Sequence, residues 1–266
     1  MKCRECWWMR SLPEGKGIEC RRLDRLLDQV DGQIWCSDFQ AKGQDLHEAL
    51  HSTERYYEAI AAEYDELWYS PAARMRYAEA YSLIQDRLGQ LTLPSDLVLD
   101  AGCGTSEWAT AVVGKGGRVI GLDSSPKMLR VGQRRMASLG GSGNLSLVCG
   151  DVGFLPFKER IFDGLMCLFV LSHLQDDCTA GFLRECGRVV RKDGWMLFLD
   201  SRSSQLHLQE ELQVRTLAGG EEYLVYKRYF EAGRLASLLE EGTGRSFSPQ
   251  EIDRYVLCAS GSRAPC

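Results

Sequence analysis

The chain has 266 residues, 44% of them hydrophobic and 26% charged, with a formal net charge of −5. This is the composition of a globular protein with one large domain, or one domain and a small appendage, and it excludes a disordered or fibrous chain. Arg and Lys are spread along the chain beside Asp and Glu, so there is no basic face of the kind a dedicated nucleic-acid binder sets against phosphates.

The opening residues, MKCRECWWMR, carry charges with no apolar run behind them, so a secretory leader is not expected. The longest apolar stretch, 164–171, is far short of a membrane span, and a cytoplasmic location without a membrane partner is expected. Four of the 11 cysteines, Cys3, Cys6, Cys20 and Cys36, fall near the start of the chain. In a reducing compartment such a cluster serves a metal more often than a disulfide framework. The segment 1–42 is too short to bury its own core, and four soft ligands would staple it around either a tetrahedral zinc or a [4Fe-4S] cluster. The alternative is four unligated thiols packed beneath Trp7, Trp8 and Trp35. A Pro-Glu-Gly-Lys-Gly turn is expected at 13–17, and the module is also a candidate docking point for a protein partner.

A second domain is expected over 43–266. Its N-terminal helices, within 46–92, are predicted at 46–68 and 74–91; in the second, Ala78, Tyr81, Ile84, Leu88 and Leu91 recur at helical spacing. Pro94 closes this stretch. Strands are then predicted at 97–99, 118–122, 145–149, 162–171 and 195–199, with helices at 107–113, from Pro126, and at 179–190. After Ser201 the signal weakens to a helix at 232–241 and a last strand at 255–259. Strands alternating with helices predict an α/β fold: a Rossmann-like, doubly wound, mostly parallel sheet with helices on both faces, spanning 96–262.

Within Leu97-Val-Leu-Asp-Ala-Gly-Cys-Gly-Thr-Ser106, Gly102 and Gly104 lie between a strand and a helix, where bare backbone can approach a ligand. Asp123 ends the next strand, where a carboxylate can bridge two ribose hydroxyls. Together they point to a nucleoside-containing cofactor. A dinucleotide fingerprint would place a glycine where Glu107 stands, and a carboxylate there is expected to repel a pyrophosphate. S-adenosylmethionine (SAM) has no phosphate and carries a sulfonium and an ammonium, which Asp100 at the top of the first strand suits better.

LDAGCGT, GLDSSPKML, CGDVGFLPF, FDGLMCLFVLSHLQD and FLRECGRVVRKDGWMLFLD then follow in order. They resemble the motifs of class I SAM-dependent methyltransferases, most of all the small-molecule branch that includes quinone-ring methyltransferases, over about 56–262. The resemblance implies that the backbone around Gly102 and Gly104 receives the methionine part. It also implies that Asp123, with Ser124 beside it, holds the ribose, that Asp151 bonds the adenine amino group, and that the Val152 amide and Leu168 line the rest of the cofactor site. Ser106 departs from the family's usual third glycine, and a small Ser is expected to cost little room.

YYEAIAAEYDELW resembles the helix that lies across the cofactor in this family. Tyr57 and Tyr64, seven apart, would share one helix face, against the cofactor or as packing aromatics. His173, just past the fourth strand, is either a catalytic base or a capping residue that shapes the pocket; Tyr57 is the other catalytic candidate. The cysteine module resembles small iron-sulfur modules of some anaerobic enzymes, which end in a Cys followed shortly by Phe, here Cys36-Ser-Asp-Phe39.

Methyl transfer is an in-line displacement on a carbon already activated by the sulfonium, so positioning supplies much of the catalysis. A base is needed only where the acceptor must lose a proton. The expected function is methyl transfer from SAM to a small-molecule acceptor, or to a specific protein or corrinoid. The rival is a SAM- and metal- or redox-sensing binding protein without turnover. The segment 202–230 is expected to contribute to the acceptor pocket, and the Asp123 carboxylate to support little of the fold.

Overall fold

The computed structural model describes residues 46–140, 142–204 and 210–261, together with the backbone of three short strands, Met9–Ser11 (β1), Ile18–Cys20 (β2) and Arg25–Leu27 (β3). The chain divides into two compact units, Met1–Ser52 and Thr53–Cys266. In the first, β1, β2 and β3 form an antiparallel sheet in sequence order, with Cys20 opposite both Met9 and Arg25. Cys3, Cys6, Cys36 and the turn expected at 13–17 lie outside the described residues, and Cys20 is described by its backbone alone.

The second unit is built on a seven-stranded sheet of β4 (Leu97–Ala101), β5 (Arg118–Asp123), β6 (Leu145–Cys149), β7 (Phe162–Leu168), β8 (Val190–Ser201), β11 (Ser248–Ile252) and β12 (Tyr255–Ser260). Their order is β11-β12-β8-β7-β4-β5-β6. From β6 through β8 all neighbours run parallel; β12 and β11 close the other edge antiparallel. The chain winds outward from β4 through β5 to β6, then returns to the other side of β4 with β7. That reversal opens a crevice at the carboxyl ends of β4 and β7, where ligands of such sheets bind.

Burial on both faces explains the near-continuous apolar runs of the central strands. On one face Leu99, Cys167, Met196 and Phe198 meet Phe182, Leu183 and Cys186 of α7 (Asp176–Val189) and Leu235 and Leu239 of α8 (Ala232–Thr243). On the other, Val98, Met166, Trp195 and Leu197 meet Ile84 and Leu88 of α4 (Ala78–Leu91) and Val112 of α5 (Ala109–Gly114). Neighbours in sequence thus serve opposite cores, and the doubly wound arrangement follows from this alternation. No described helix is long and apolar enough to cross a membrane.

Four expectations are corrected. The helix predicted at 46–68 is two, α1 (Leu46–Ile60) and α2 (Tyr64–Tyr69), separated by a turn. A further short helix, α3 (Pro71–Met75), is capped by Ser70, whose Oγ accepts from the Ala73 N–H, with Pro71 in the first turn; Tyr77 then leaves helical geometry before α4 begins. The segment after Ser201 contains an antiparallel hairpin, β9 (Glu210–Thr216) and β10 (Glu222–Arg228), paired along its whole length. The edge strand β11 was also missed: its sequence, SPQEI, is mostly exposed and contains Pro249, as edge strands tolerate.

Gly164 of β7 lies opposite Trp195 of β8, and a Cβ on it would sit 2.1 Å from the indole Cε2. The absent side chain makes room for the largest fully buried residue in the unit. Gly164→Ala should therefore overpack the core and cost about 3 kcal/mol or more, read as a lower urea midpoint with unchanged slope.

Candidate active site

Three residues after β4 have positive φ: Gly102 at 74°, Gly104 at 51° and Ser106 at 58°. A Cβ on Gly102 would lie 2.3 Å from Val170 Cγ2, so the loop presses against the turn after β7. At Gly104 the same position is open space. The N–H groups of Gly102 and Cys103 both donate to the Leu122 carbonyl, at 2.7 and 3.0 Å, tying the loop to the end of β5. Ser106 costs backbone strain as well as room, because left-handed geometry is disfavoured for a residue with a Cβ. It is fully buried, and its Oγ occupies the space left by Gly132 of α6 (Pro126–Ser138), where a Cβ would come within 2.5 Å.

Asp123 overturns the expectation that it supports little structure. One carboxylate oxygen accepts the Gly104 N–H at 2.8 Å and the other the Ser125 N–H at 2.9 Å, so it binds the loops after β4 and β5 together. Burial raises its pKa, opposed by these two bonds. Asp100 is buried with Oδ2 unpartnered; burial, and next the charge of Asp123, push its pKa up to about 8. Asp151, two residues past β6, is exposed and accepts the Gly153 N–H at 2.8 Å. Val152 is half-buried, Ser124 exposed and Leu168 buried.

Glu107 is buried with its carboxylate taken up by side chains of the protein, so the charge argument drawn from it against a dinucleotide falls away. Its buried carboxylate accepts from the guanidinium groups of Arg74 and Arg135 and from the Tyr81 hydroxyl. Such a buried carboxylate needs these partners to offset its desolvation.

The α1–α2 segment is fixed across the carboxyl edge of the sheet at three places. Glu58 accepts from the Ser125 hydroxyl and, at 3.1 Å, from the Lys127 N–H. Asp65 accepts from the Thr105 hydroxyl at 2.6 Å and pairs with Arg135 at 2.5 Å. Tyr57 meets His173, its Oη 2.8 Å from Nε2. Tyr57 and Tyr64 do not share one helix face: they stand on either side of the turn between α1 and α2, with ring centroids 6.2 Å apart.

The two catalytic candidates are thus in contact although 116 residues apart. His173 Nδ1 lies 2.7 Å from the Tyr226 carbonyl, which can only accept, so Nδ1 carries the proton and Nε2 accepts from the Tyr57 hydroxyl. Burial, then Lys227 and Arg215, keep the imidazole neutral, its pKa well below the usual value. Burial raises the pKa of Tyr57.

The hairpin completes this cluster, and sequence reasoning missed its members. Tyr226 and Lys227 come from β10 and Arg215 from β9. Lys227 donates to Ser172 Oγ at 2.6 Å and lies 3.6 Å from Asp200; Arg215 Nη1 is 3.4 Å from Tyr57 Oη. The overlooked signal was Gly219-Gly220 between two runs bearing Val, Leu and Tyr, a hairpin pattern. Among the described residues no cluster of three or more His, Cys, Asp or Glu could hold a metal ion.

The methyltransferase domain family matches residues 98–194. The demethylmenaquinone methyltransferase of Geobacillus kaustophilus is 32% identical over 166 residues, covering 61% of this chain and 67% of that protein. That of Staphylococcus epidermidis is 38% identical over 117 residues, and there the chain spans 46%, about half, of its relative's length. Among solved structures, a DhpI-SAM-HEP complex aligns with a TM-score of 0.66 at 24% identity, over 81% of this chain and 99% of that one. The 1,6-didemethyltoxoflavin-N1-methyltransferase of Burkholderia thailandensis aligns at 0.59 and 19%, over 87% and 96%. The chain belongs to the class I SAM-dependent methyltransferases.

Because Asp123 holds two backbone N–H groups, Asp123→Ala should destabilise the protein even without ligand. Leaving buried donors unsatisfied costs about 2 kcal/mol, which a thermal or urea melt of the ligand-free protein would register.

Proposed function

We propose that the protein transfers a methyl group from SAM to a hydroxylated aromatic small molecule of the hydroquinone kind. The observation that carries this reading is the Tyr57–His173 pair, a neutral base bonded to a hydroxyl, placed three residues beyond the Val170 side chain that packs on Gly102. The cofactor half fits a cationic, phosphate-free ligand. The unpartnered Asp100 oxygen faces no cation of the protein within bonding distance, and the backbone at Gly104 is open. In this reading the loop at Gly102 and Gly104 receives the methionine part, Asp100 balances its positive charge, and the free lone pairs of Asp123, with Ser124, hold the ribose. Asp151, Val152 and Leu168 surround the adenine, with Tyr64 covering the site from α2. SAM, when bound, supplies an electrophilic methyl on a sulfonium.

The relatives named as demethylmenaquinone methyltransferases support a ring acceptor. A quinone ring is itself electrophilic, so the species that accepts a methyl cation equivalent is the reduced hydroquinone, whose hydroxyl must shed a proton. His173 has an unprotonated Nε2 for that purpose, bonded to the Tyr57 hydroxyl. Turnover of reduced demethylmenaquinone with SAM tests the reading directly. SAM binding without methylation of any phenol or hydroquinone would leave a binding protein instead.

Asp100 gives a pH test. With its pKa near 8 in the free protein, a proton must leave before the carboxylate can face a cation, so SAM binding at pH 7 should release close to one proton. Affinity should rise with pH up to about 8 and then level. Calorimetry in two buffers of different ionisation heat counts that proton, and Asp100→Asn should bind more weakly and release none.

On the cysteine spacing alone, we also propose that Cys3, Cys6, Cys20 and Cys36 share one zinc or one [4Fe-4S] cluster. Metal analysis and a visible spectrum of anaerobically purified protein would tell the two apart. Any single Cys→Ser change should lose nearly all the metal while SAM binding survives.

A further inference from the structure

We propose that Arg215 holds the ionised oxygen of the methyl acceptor, so that the site selects a phenol or enol over an amine. The proposal rests on the methyltransferase reading and adds to it a residue and a charge requirement.

Arg215 reaches the tyrosine oxygen that bonds His173. Its Nη1 lies 3.4 Å from Tyr57 Oη, its Nη2 donates to Gln213 Oε1 at 3.0 Å, and its guanidinium stands 5.2 Å over the Tyr56 ring. Tyr56 and Gln213 thus orient the fork without neutralising it. Among the described residues no carboxylate forms an ion pair with Arg215, whereas the neighbouring Lys227 has Asp200. One uncompensated positive charge therefore sits beside the Tyr57–His173 pair, in a half-buried position where a charge is less screened than in water. A guanidinium carries five N–H donors, so donors remain for an acceptor oxygen.

This arrangement discriminates. A protonated amine brought to Tyr57 would face Arg215 directly, and Lys227 close by. An acidic hydroxyl is favoured there because an adjacent cation stabilises its conjugate base. The proton route balances on these residues. As the acceptor O–H bond breaks, its proton passes to Tyr57 Oη, and the Tyr57 proton passes to His173 Nε2. The imidazolium so formed keeps its Nδ1–H bond to the Tyr226 carbonyl. Both electrons of the broken bond stay on the acceptor oxygen, against Arg215; methylation at oxygen uses that pair, whereas methylation at the conjugated ring carbon is completed when that carbon's hydrogen leaves as a proton and the oxygen takes one back. His173 then returns its proton to solvent.

The test uses the whole protein saturated with S-adenosylhomocysteine, and 4-nitrophenol as the probe, which absorbs in the visible only when ionised. At a pH where the free phenol is mostly un-ionised, the wild type should bind it as the phenolate and develop the visible band. Arg215→Met and Arg215→Gln should lose the band and bind the probe at least about tenfold more weakly, with S-adenosylhomocysteine affinity unchanged. Arg215→Lys, which keeps the charge but not the planar fork, should retain a reduced band. Failure of the wild type to ionise or bind the probe overturns the proposal, as does a band of full strength in Arg215→Gln. Should Arg215→Met not fold, Arg215→Gln and the wild-type band decide. Absence of S-adenosylhomocysteine binding in the wild type would strike the methyltransferase reading itself, and this proposal with it.

Discussion

The loops after β4 and β5 meet at a single carboxylate. Asp123 accepts one backbone N–H from each, Gly104 and Ser125, and this pair of hydrogen bonds fixes how far apart the two loops stand. The loop after β4 also approaches the turn after β7 closely, because Gly102 has no side chain where Val170 packs. The geometry of the crevice thus depends on one charged group placed where the sheet reverses direction, and on backbone that only a bare residue can bring near. Burying that carboxylate beside Asp100 is costly, and the cost is concentrated on Asp100, which has no donor for one oxygen. In our reading the cofactor's positive charge supplies what the protein leaves out.

The segment over the crevice is held by an apolar cluster, in which Tyr56, Ile60 and Ala61 are buried with Met128 and Val225, and by polar groups. Glu58, Tyr57 and Asp65 each reach a different loop, after β5, β7 and β4 respectively. Arg135 ties this layer to the interior, bonding Asp65 above and Glu107 below. The turn between α1 and α2 is what allows these residues to point at three separate loops; an unbroken helix would aim Tyr57 and Tyr64 along one line. Polar fastenings of this kind are individually modest in free energy.

Much of this was legible in the sequence because it is local. The strand, glycine loop and helix succession, the terminal Asp123 and the Pro126 helix start are all written within short windows, and their periods are unambiguous. What escaped notice is relational. The segment 202–230 was expected at the acceptor pocket, but nothing in it singled out a residue, because the burial of Tyr226 and Lys227 against the turn at Ser172 and His173 exists only in the fold. Glu107 read as a local electrostatic veto because its partners, Arg74 and Arg135, lie far from it in sequence on separate helices. Nor does spacing along the chain reveal that His173 and Tyr57 touch, since that contact needs the sheet to bring α1 over β7.

Ser106 and Gly132 illustrate a further constraint. The serine side chain fills the space that the helix glycine vacates, while its backbone sits in a region where a glycine would rest without strain. The two positions are therefore sterically coupled. A larger residue at 132 would meet the Ser106 side chain, and a glycine at 106 would relieve the backbone while leaving space against α6. A substitution at either position therefore changes what the other can accept.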